Sequence, residues 1–584
     1  MQEFCTFVLK ERNVFPKWCD SYVKNIKTGN DMTLWKNDRG NAAAILIAKS
    51  DIKKAALKSI EVIDENGNVT TKVRMKASFQ KYISTYKGSN WIPEPRPFQL
   101  PALPDGNRTD IADVIYGTEI ERDMMRETGE RIIQPFWISV SVGKDATPGK
   151  YKGKIQVTID GEKTLELFQN IKVLDLELEE SSDYYLNLWQ YPYASAAYYQ
   201  VAPFSKKHLE IVKNQMEPYV QAGGKIGTAY IVEEPWYHQT YCDCPSMIKW
   251  KKEQGKWEFD YCDFDTWITF LLDEMKLSYV ECYSIVPWEN MLRYTENGVK
   301  RAQKSEPGTK DWLDAWENFL KDFIRHLEEK GWFDRMILAM DERPAKEMKE
   351  ALTLIERVQN AKGESLKVGG AVEHFDETIW EKFFTVTPHI SSLVDNKIPV
   401  ELFRRVVKER RRQGKLTSIY SMIGDYPGMF SMSDPAEAAW IIWYVEYCGA
   451  DGFLKWAYDA WSRRPLEENV HPYFEAGDMY LVYPGENGKE TVQVRTTPRF
   501  EMMAEAIGDI RKLRLMRKEN CELKEKADQL LYSLKMFYGK GKNNHIGTAG
   551  FNTGDEVMKE ELADEVRRLH KKTVELSEEW EKKE

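Results

Sequence analysis

The feature that most constrains this chain is a repeat of short apolar runs separated by amphipathic stretches, beginning near residue 182. Eight runs read as strands: Tyr184 to Trp189, Lys225 to Ile231, Ser278 to Ser284, Arg335 to Met340, Lys367 to Glu373, Ile390 to Val394, Leu416 to Met422 and Gly452 to Tyr458. Between them apolar residues recur every three or four positions, as in Leu209, Val212, Met216 and Val220, or in Trp312, Trp316, Phe319, Phe323 and Leu327. That spacing lays one helix face on a core. Strand, crossover helix and parallel strand in eightfold repetition predict a closed (β/α)8 TIM barrel over residues 182–515, with its chemistry at the C-terminal ends of the strands.

A single core stops growing at roughly 250 to 300 residues, so a chain of 584 residues implies further domains. Over residues 1–178 the apolar period is two. Ile138, Val140 and Val142 share one face, as do Tyr151, Gly153, Ile155, Val157 and Ile159, which predicts an N-terminal antiparallel β-sandwich. The turn cluster from Asp145 to Gly149 between these runs suggests a hairpin. Residues 516–584 are rich in Lys, Glu and Leu at helical spacing, broken by the turn-rich stretch from Tyr538 to Asp555. A helical C-terminal extension packed on the barrel is expected, its charge runs facing solvent.

Charge and apolar content exclude several functions. With 83 basic and 93 acidic residues the net charge is −10, and no cationic stripe interleaved with aromatics offsets it, so no nucleic-acid partner is expected. The longest apolar runs, Ala42 to Ala48 and Ala438 to Tyr447, fall short of the ~20 residues that span a bilayer, so no integral membrane segment is expected. The start, MQEFCTFVLKERN, lacks the pattern of an export signal. That leaves a cytoplasmic protein or one whose signal is absent from this sequence. Of eight cysteines only Cys242 and Cys244 lie close, without a second pair at zinc spacing, and neither a metal nor a cofactor is expected. The 19 tryptophans and 29 tyrosines suit a carbohydrate partner, because a pyranose face packs well on a flat ring.

The fourth barrel run leads straight into Asp341-Glu342-Arg343-Pro344. Neighbouring side chains on a strand point to opposite faces, so both carboxyls reach one site only where the strand ends or bulges. Pro344 cannot continue a ladder and biases Arg343 away from the helical region. Two enzymic carboxyls that cleave a glycoside usually stand ~5 to 9.5 Å apart across the anomeric carbon, which adjacent residues do not easily achieve. They can act from one side where a 2-acetamido group of the substrate supplies the nucleophile. Asp341 would then orient the amide and steady the oxazolinium, while Glu342 protonates the leaving oxygen. By itself, an Asp-Glu pair at a strand end is more often a surface loop.

A set of ordered motifs changes that weighting. Gln134 to Trp137 and Ala146 to Gly153 lie in the sandwich; Leu188 to Pro192, Glu234-Pro-Trp236, Tyr283 to Trp288, Met340 to Arg343, Gly449 to Leu454 with Trp456, Gly477-Asp478 and Leu481 to Gly485 lie in the barrel. With them the chain resembles glycoside hydrolase family 123, the β-N-acetylgalactosaminidases, over roughly residues 130–510. The resemblance implies a β-sandwich before a (β/α)8 barrel and a substrate-assisted retaining mechanism whose Asp-Glu pair falls on Asp341 and Glu342. It also implies a GalNAc-containing glycan or glycosphingolipid as substrate, and an exported location. One departure is Glu501 to Ile510, EMMAEAIGDI, where the family more often has an acidic, aromatic run.

Trp189, Tyr283, Trp288, Tyr420, Trp456 and Tyr458 should converge over the barrel mouth, with Tyr420 or Tyr458 bonding the acetamide. Glu234, His374 and Asp459 also lie near strand ends and could bind sugar hydroxyls. Each of these residues has an ordinary structural reading as well. Glu342 should have a raised pKa beside Asp341. Two alternatives remain: a double-displacement glycosidase pairing Glu342 with a carboxyl such as Glu373, and a glycan-binding protein without catalysis. A metal-dependent hydrolase would need an HExxH or a comparable ligand cluster, which the sequence lacks.

Overall fold

The computed structural model describes residues 3–13, 30–48, 52–86, 108–121, 132–179, 184–237, 239–242, 244–373, 375–394, 398–471, 474–488, 493–519, 521–537 and 556–583. The stretch from Tyr538 to Asp555 lies outside them.

The period-two segments form two facing sheets. One runs in the order Phe4–Val8, Arg39–Ala48, Ile132–Val142, Val73–Tyr86 and Arg108–Gly117; the other runs Asp31–Lys36, Lys163–Glu177, Gly149–Ile159, Lys54–Asp64 and Glu119–Glu121. Neighbours are antiparallel except Asp31–Lys36, which lies parallel to Lys163–Glu177. Ile138, Val140, Ile155 and Val157 meet in the core between the sheets, as their alternation requires. The expected hairpin across Asp145 to Gly149 is not one: the flanking strands belong to different sheets, because their apolar faces look at each other. The hairpin lies one connection later, where Asp160 and Gly161 take φ of 51° and 77° between Gly149–Ile159 and Lys163–Glu177.

Strand Arg39–Ala48 is apolar on both faces for a reason. Ala44, Leu46 and Ala48 fill the sandwich core, while Ala43, Ile45 and Ile47 join the core of the barrel. The barrel core thus extends onto the outer face of this sandwich sheet, while the core between the two sheets stays a separate cluster.

The barrel sheet runs Asn187–Leu188, Gly452–Lys455, Leu416–Tyr420, Thr385–Pro388, Lys367–Val372, Met336–Asp341, Tyr279–Tyr283 and Ile226–Tyr230, with all pairs parallel. Leu186 bridges to Gly224, and the Lys225 N–H donates to the Leu186 carbonyl at 3.1 Å, which draws the outer strands together. The sixth strand corrects the sequence reading: it is Thr385–Pro388, and Ser391–Val394 is a short helix. Pro388 ends the strand, so the apolar residues after it belong to the helix that follows.

The connections after the second and third strands grow into hairpins. Lys249–Glu253, Lys256–Asp260, Met291–Glu296 and Val299–Lys304 join in a four-stranded sheet that the sequence reading did not foresee.

Helix Pro435–Tyr447 is buried on all sides. Helix Pro498–Glu519 carries the barrel without a break through residues 515 and 516, and Cys521–Tyr532 and Glu556–Glu581 follow. The last helix reaches the sandwich as well as the barrel, with Trp580 edge-on to Trp35 at 5.4 Å and Lys172 Nζ 2.8 Å from Glu578. The EMMAEAIGDI segment is not solvated. Glu501 pairs with Arg39, Glu505 with Lys10 and Asp509 with His570 at 2.8 Å, and just beyond the segment Lys512 pairs with Asp38 at 2.8 Å. The segment clamps sandwich, barrel and final helix together. Among the described residues no helix is long and apolar enough to cross a membrane.

Candidate active site

Met336–Met340 is buried, and Asp341 closes the strand opposite Ala371. Glu342 takes φ of 49°, in the left-handed region, at a cost on the order of 1 kcal/mol for a residue with a Cβ. Its N–H donates to the Ala371 carbonyl at 3.1 Å, so the ladder carries on while the side chain is redirected. This is the strand ending that two adjacent carboxyls require to reach one site.

Asp341 Oδ2 accepts the Trp288 indole N–H at 3.2 Å. Trp236 and the Arg343 guanidinium also favour its charged form. Arg343 lies over the Trp288 ring at 5.6 Å and bonds Glu347 at 2.8 Å, which fixes the indole from behind. Glu342 Oε1 accepts the Tyr420 hydroxyl hydrogen. Protein surrounds both carboxyls even though each residue keeps some exposure at the mouth. Burial, and then the charge of Glu342, push Asp341 well above the carboxylate range. Glu342 is raised, the expected direction, with burial as the leading cause and the charges of Glu373 and Asp425, rather than the expected Asp341, adding to it. The two titrate as a pair.

Trp189, Tyr283 and Trp236 form a packed stack beneath the pair. Trp189 lies 5.1 Å from Trp236 and 4.5 Å from Tyr283, ring centre to ring centre. Trp189 and Tyr283 are fully buried, so they are the floor of the site rather than open platforms. The Tyr283 hydroxyl donates to Glu281 at 2.8 Å inside the barrel, where Asn187 and Thr385 also bond that carboxylate. Trp288 and Trp456 keep exposed surface. Trp456 donates to Asp478 at 2.8 Å, and Asp478 is also tied to the buried Lys455.

Three expected site residues are occupied elsewhere. The Tyr458 hydroxyl donates to the Gln215 carbonyl at 2.8 Å, and its ring packs on Tyr219 and Phe500, away from the pair. Asp459 accepts the Tyr191 N–H at 2.7 Å and a Gln215 amide hydrogen, with its carboxyl pushed up to about 7 by burial. Glu234 is buried and accepts the Cys244 N–H, pinning its own loop. Tyr420 reaches the site but gives its hydroxyl to Glu342. His374 lies outside the described residues.

Sequence reasoning missed Trp236, His389 and Asp425. Trp236 belongs to the Glu234-Pro-Trp236 motif, which by itself gives the indole no role. His389 directly follows the true sixth strand, and the displaced strand assignment hid that position. Asp425 lies in the loop after the seventh strand, where no periodicity marks it. Among the described residues no group of three or more His, Cys, Asp or Glu side chains is placed to hold a metal ion.

No curated protein matches the chain in sequence. The family model of the glycoside hydrolase 123 catalytic domain matches residues 189–516, and that of the glycoside hydrolase 123 N-terminal domain matches residues 14–159. A solved family 123 glycoside hydrolase from Clostridium perfringens, described for its hydrolysis of glycolipid glycans, is 29% identical with a TM-score of 0.87, each chain covered over 100% of its length. A family 39 glycoside hydrolase from Bacteroides cellulosilyticus has 9% identity and a TM-score of 0.34, with 83% of each chain covered. A Bacteroides ovatus xyloglucanase has 7% identity and a TM-score of 0.29, with 82% of this chain and 98% of that one covered. By its catalytic-domain match, which spans more than half its length, the chain belongs to glycoside hydrolase family 123.

Proposed function

We propose that this glycoside hydrolase removes terminal β-linked N-acetylgalactosamine from glycans or glycolipids, with retention of configuration and with the substrate's own acetamide as nucleophile. The observation that carries this reading is the convergence of two consecutive carboxyls, Asp341 and Glu342, on one side of one site. A family relative that hydrolyses glycolipid glycans supports the substrate class, and family membership supports an exported location.

In this reading Asp341, as carboxylate, accepts the acetamide N–H and turns the carbonyl oxygen toward the anomeric carbon. Glu342 gives its proton to the glycosidic oxygen. The C–O bond to the leaving group breaks as the carbonyl oxygen bonds the anomeric carbon, giving an oxazolinium. Water, losing a proton to Glu342, then opens the ring from the side the leaving group vacated, so two inversions sum to retention. An N–H bonded to Asp341 favours that carboxyl's charged form. Substrate binding therefore moves the pair's proton to Glu342, where the leaving oxygen needs it. The Trp288 indole N–H holds Asp341 in place, which conserves the effective molarity of an intramolecular nucleophile.

The test is hydrolysis of 4-nitrophenyl β-N-acetylgalactosaminide, the matching N-acetylglucosaminide and the plain β-galactoside, each with and without an N-acetyl thiazoline inhibitor. Thiazoline-sensitive release from the acetamido substrates alone, fastest from the galacto sugar, is the expected result. Release from the plain galactoside would instead favour double displacement with a second carboxyl such as Glu373.

A further inference from the structure

Behind Glu342 lies a set of side chains to which the reaction above gives no task. His389 stands at the end of the sixth barrel strand. Its Nε2 is 2.9 Å from Asp425 Oδ2 and its Nδ1 is 2.7 Å from Ser391 Oγ. Asp425 is itself fixed by the Met422 N–H at 2.7 Å. The imidazole lies against Tyr420, ring centres 4.9 Å apart, and Tyr420 donates its hydroxyl hydrogen to Glu342. The chain of contacts therefore runs from Asp425 through His389 and Tyr420 to the carboxyl proposed to move the proton.

The geometry suits a cation. A carboxylate only accepts, so Nε2 carries a hydrogen toward Asp425, and Ser391 Oγ can accept a second hydrogen from Nδ1. The titratable groups in reach of the ring are Asp425 from the loop after the seventh strand, Tyr420 at the end of that strand, Glu342 after the fourth and Glu373 after the fifth. Side-chain exposure is 12% for His389 and 6% for Asp425, so water screens their attraction weakly. Burial opposes charge on His389, but the combined pull of Asp425, Glu342 and Glu373, with the hydrogen bond to Asp425, outweighs it and the ring titrates above an ordinary histidine. In return, a charged His389 eases the ionisation of Glu342.

We propose that His389, clamped by Asp425 and Ser391, is a positioning residue of the acid–base step: it braces Tyr420 against Glu342 and, as an imidazolium, steadies the negative charge left on Glu342 each time that carboxyl gives up its proton. The inference rests on Glu342 as proton donor. His389 keeps its own proton throughout. The hydrogen lost by Glu342 leaves with the alcohol, and the attacking water restores it.

The experiment uses the full chain and the variants H389Q and D425N. H389Q keeps a hydrogen-bonding side chain and removes the charge. Loss of a nearby cation raises the pKa of a carboxyl, so the basic limb of kcat should move to higher pH by about one unit, and the weaker acid should lower the plateau below that limb by up to about tenfold on a substrate with a poor leaving group. D425N should move the limb the same way, because His389 then sheds its proton earlier. A second readout needs no turnover. Carbon-13 labelling at Cε1 resolves the chain's eight histidines by NMR, and the resonance lost in H389Q is His389. Coupling is reciprocal, so E342Q should lower the His389 midpoint by about one pH unit. A basic limb unmoved in both variants, or a His389 midpoint unchanged in E342Q, would overturn the proposal. A lowered midpoint in a protein that turns over no acetamido sugar would leave the coupling standing and remove the reading of the reaction.

Discussion

Trp288→Phe isolates one hydrogen bond of the site. The substitution keeps a ring under Arg343 and deletes the N–H that Asp341 accepts at 3.2 Å. A hydrogen bond to a charged group contributes about 1.5–3 kcal/mol. This one is at the long end of the normal range, and Trp288 keeps part of its surface in water, so the lower figure of about 1.5 kcal/mol applies. That is about one pH unit, or about tenfold in an ionisation constant. The bond favours the carboxylate, so its loss raises the pKa of Asp341 in the enzyme–substrate complex. Activity that needs the carboxylate then disappears earlier as pH falls. The acid limb of kcat for an aryl N-acetylgalactosaminide should move up by about one unit, with the basic limb nearly unmoved. An acid limb that stays in place, or that moves down, would refute the assignment of Asp341 as the ionised partner of the acetamide.

Further outcomes follow from other parts of the molecule. Glu342→Gln should lower kcat by about a hundredfold or more on substrates with poor leaving groups, and by less on an activated aryl glycoside; equal losses on both would remove Glu342 as the acid. Gly370→Ala would set a Cβ 2.2 Å from the Met340 carbonyl oxygen, a backbone atom one residue before Asp341 and Glu342. Urea unfolding should register a loss of roughly 1–3 kcal/mol, and an unchanged midpoint would contradict the close approach of these strands. In the clamp around helix Pro498–Glu519, burial disfavours the charges of His570, Asp509 and Glu505, and attraction to opposite charges outweighs it: Asp509 and Glu505 raise His570, His570 with Lys512 and Lys10 lowers Asp509, and Lys10 with His570 lowers Glu505. The carboxyls' contribution is lost as pH falls through their lowered values, and that of His570 as pH rises through its raised value. The clamp is therefore at full strength between about pH 4.5 and 6.5. The melting temperature should decline above that window in the wild type, and His570→Gln should flatten the decline; an identical slope in both would exclude the clamp.

The architecture was legible where a residue's environment is set by local pattern. Ile138, Val140, Ile155 and Val157 alternate because one face of each strand is dry. The barrel strands announced themselves as apolar runs between helical stripes, and Asp341-Glu342 stood out because two carboxyls followed a buried strand without a turn. The pattern failed where chain connection or partner choice decides. Nothing in Asp145 to Gly149 says whether the next strand joins the same sheet or the opposite one. The apolar stretch Ile390 to Val394 reads as a strand until Thr385–Pro388 is seen to occupy that place in the barrel. Glu234, Tyr458 and Asp459 share a chemical character with site residues, but each already bonds a neighbour, Cys244, Gln215 and Tyr191 respectively. A sequence shows the donor or acceptor and hides its partner.

The account stands on the acetamide oxygen as nucleophile, and the most direct measurement changes that atom alone. A series of 4-nitrophenyl N-acetylgalactosaminides with none, one, two or three fluorines on the acetamide methyl weakens the carbonyl oxygen stepwise, with little change in size. Attack by the acetamide oxygen predicts a steep fall of kcat/KM along the series, by orders of magnitude from acetyl to trifluoroacetyl. A rate insensitive to fluorination would contradict it, placing the nucleophile on the enzyme or in water.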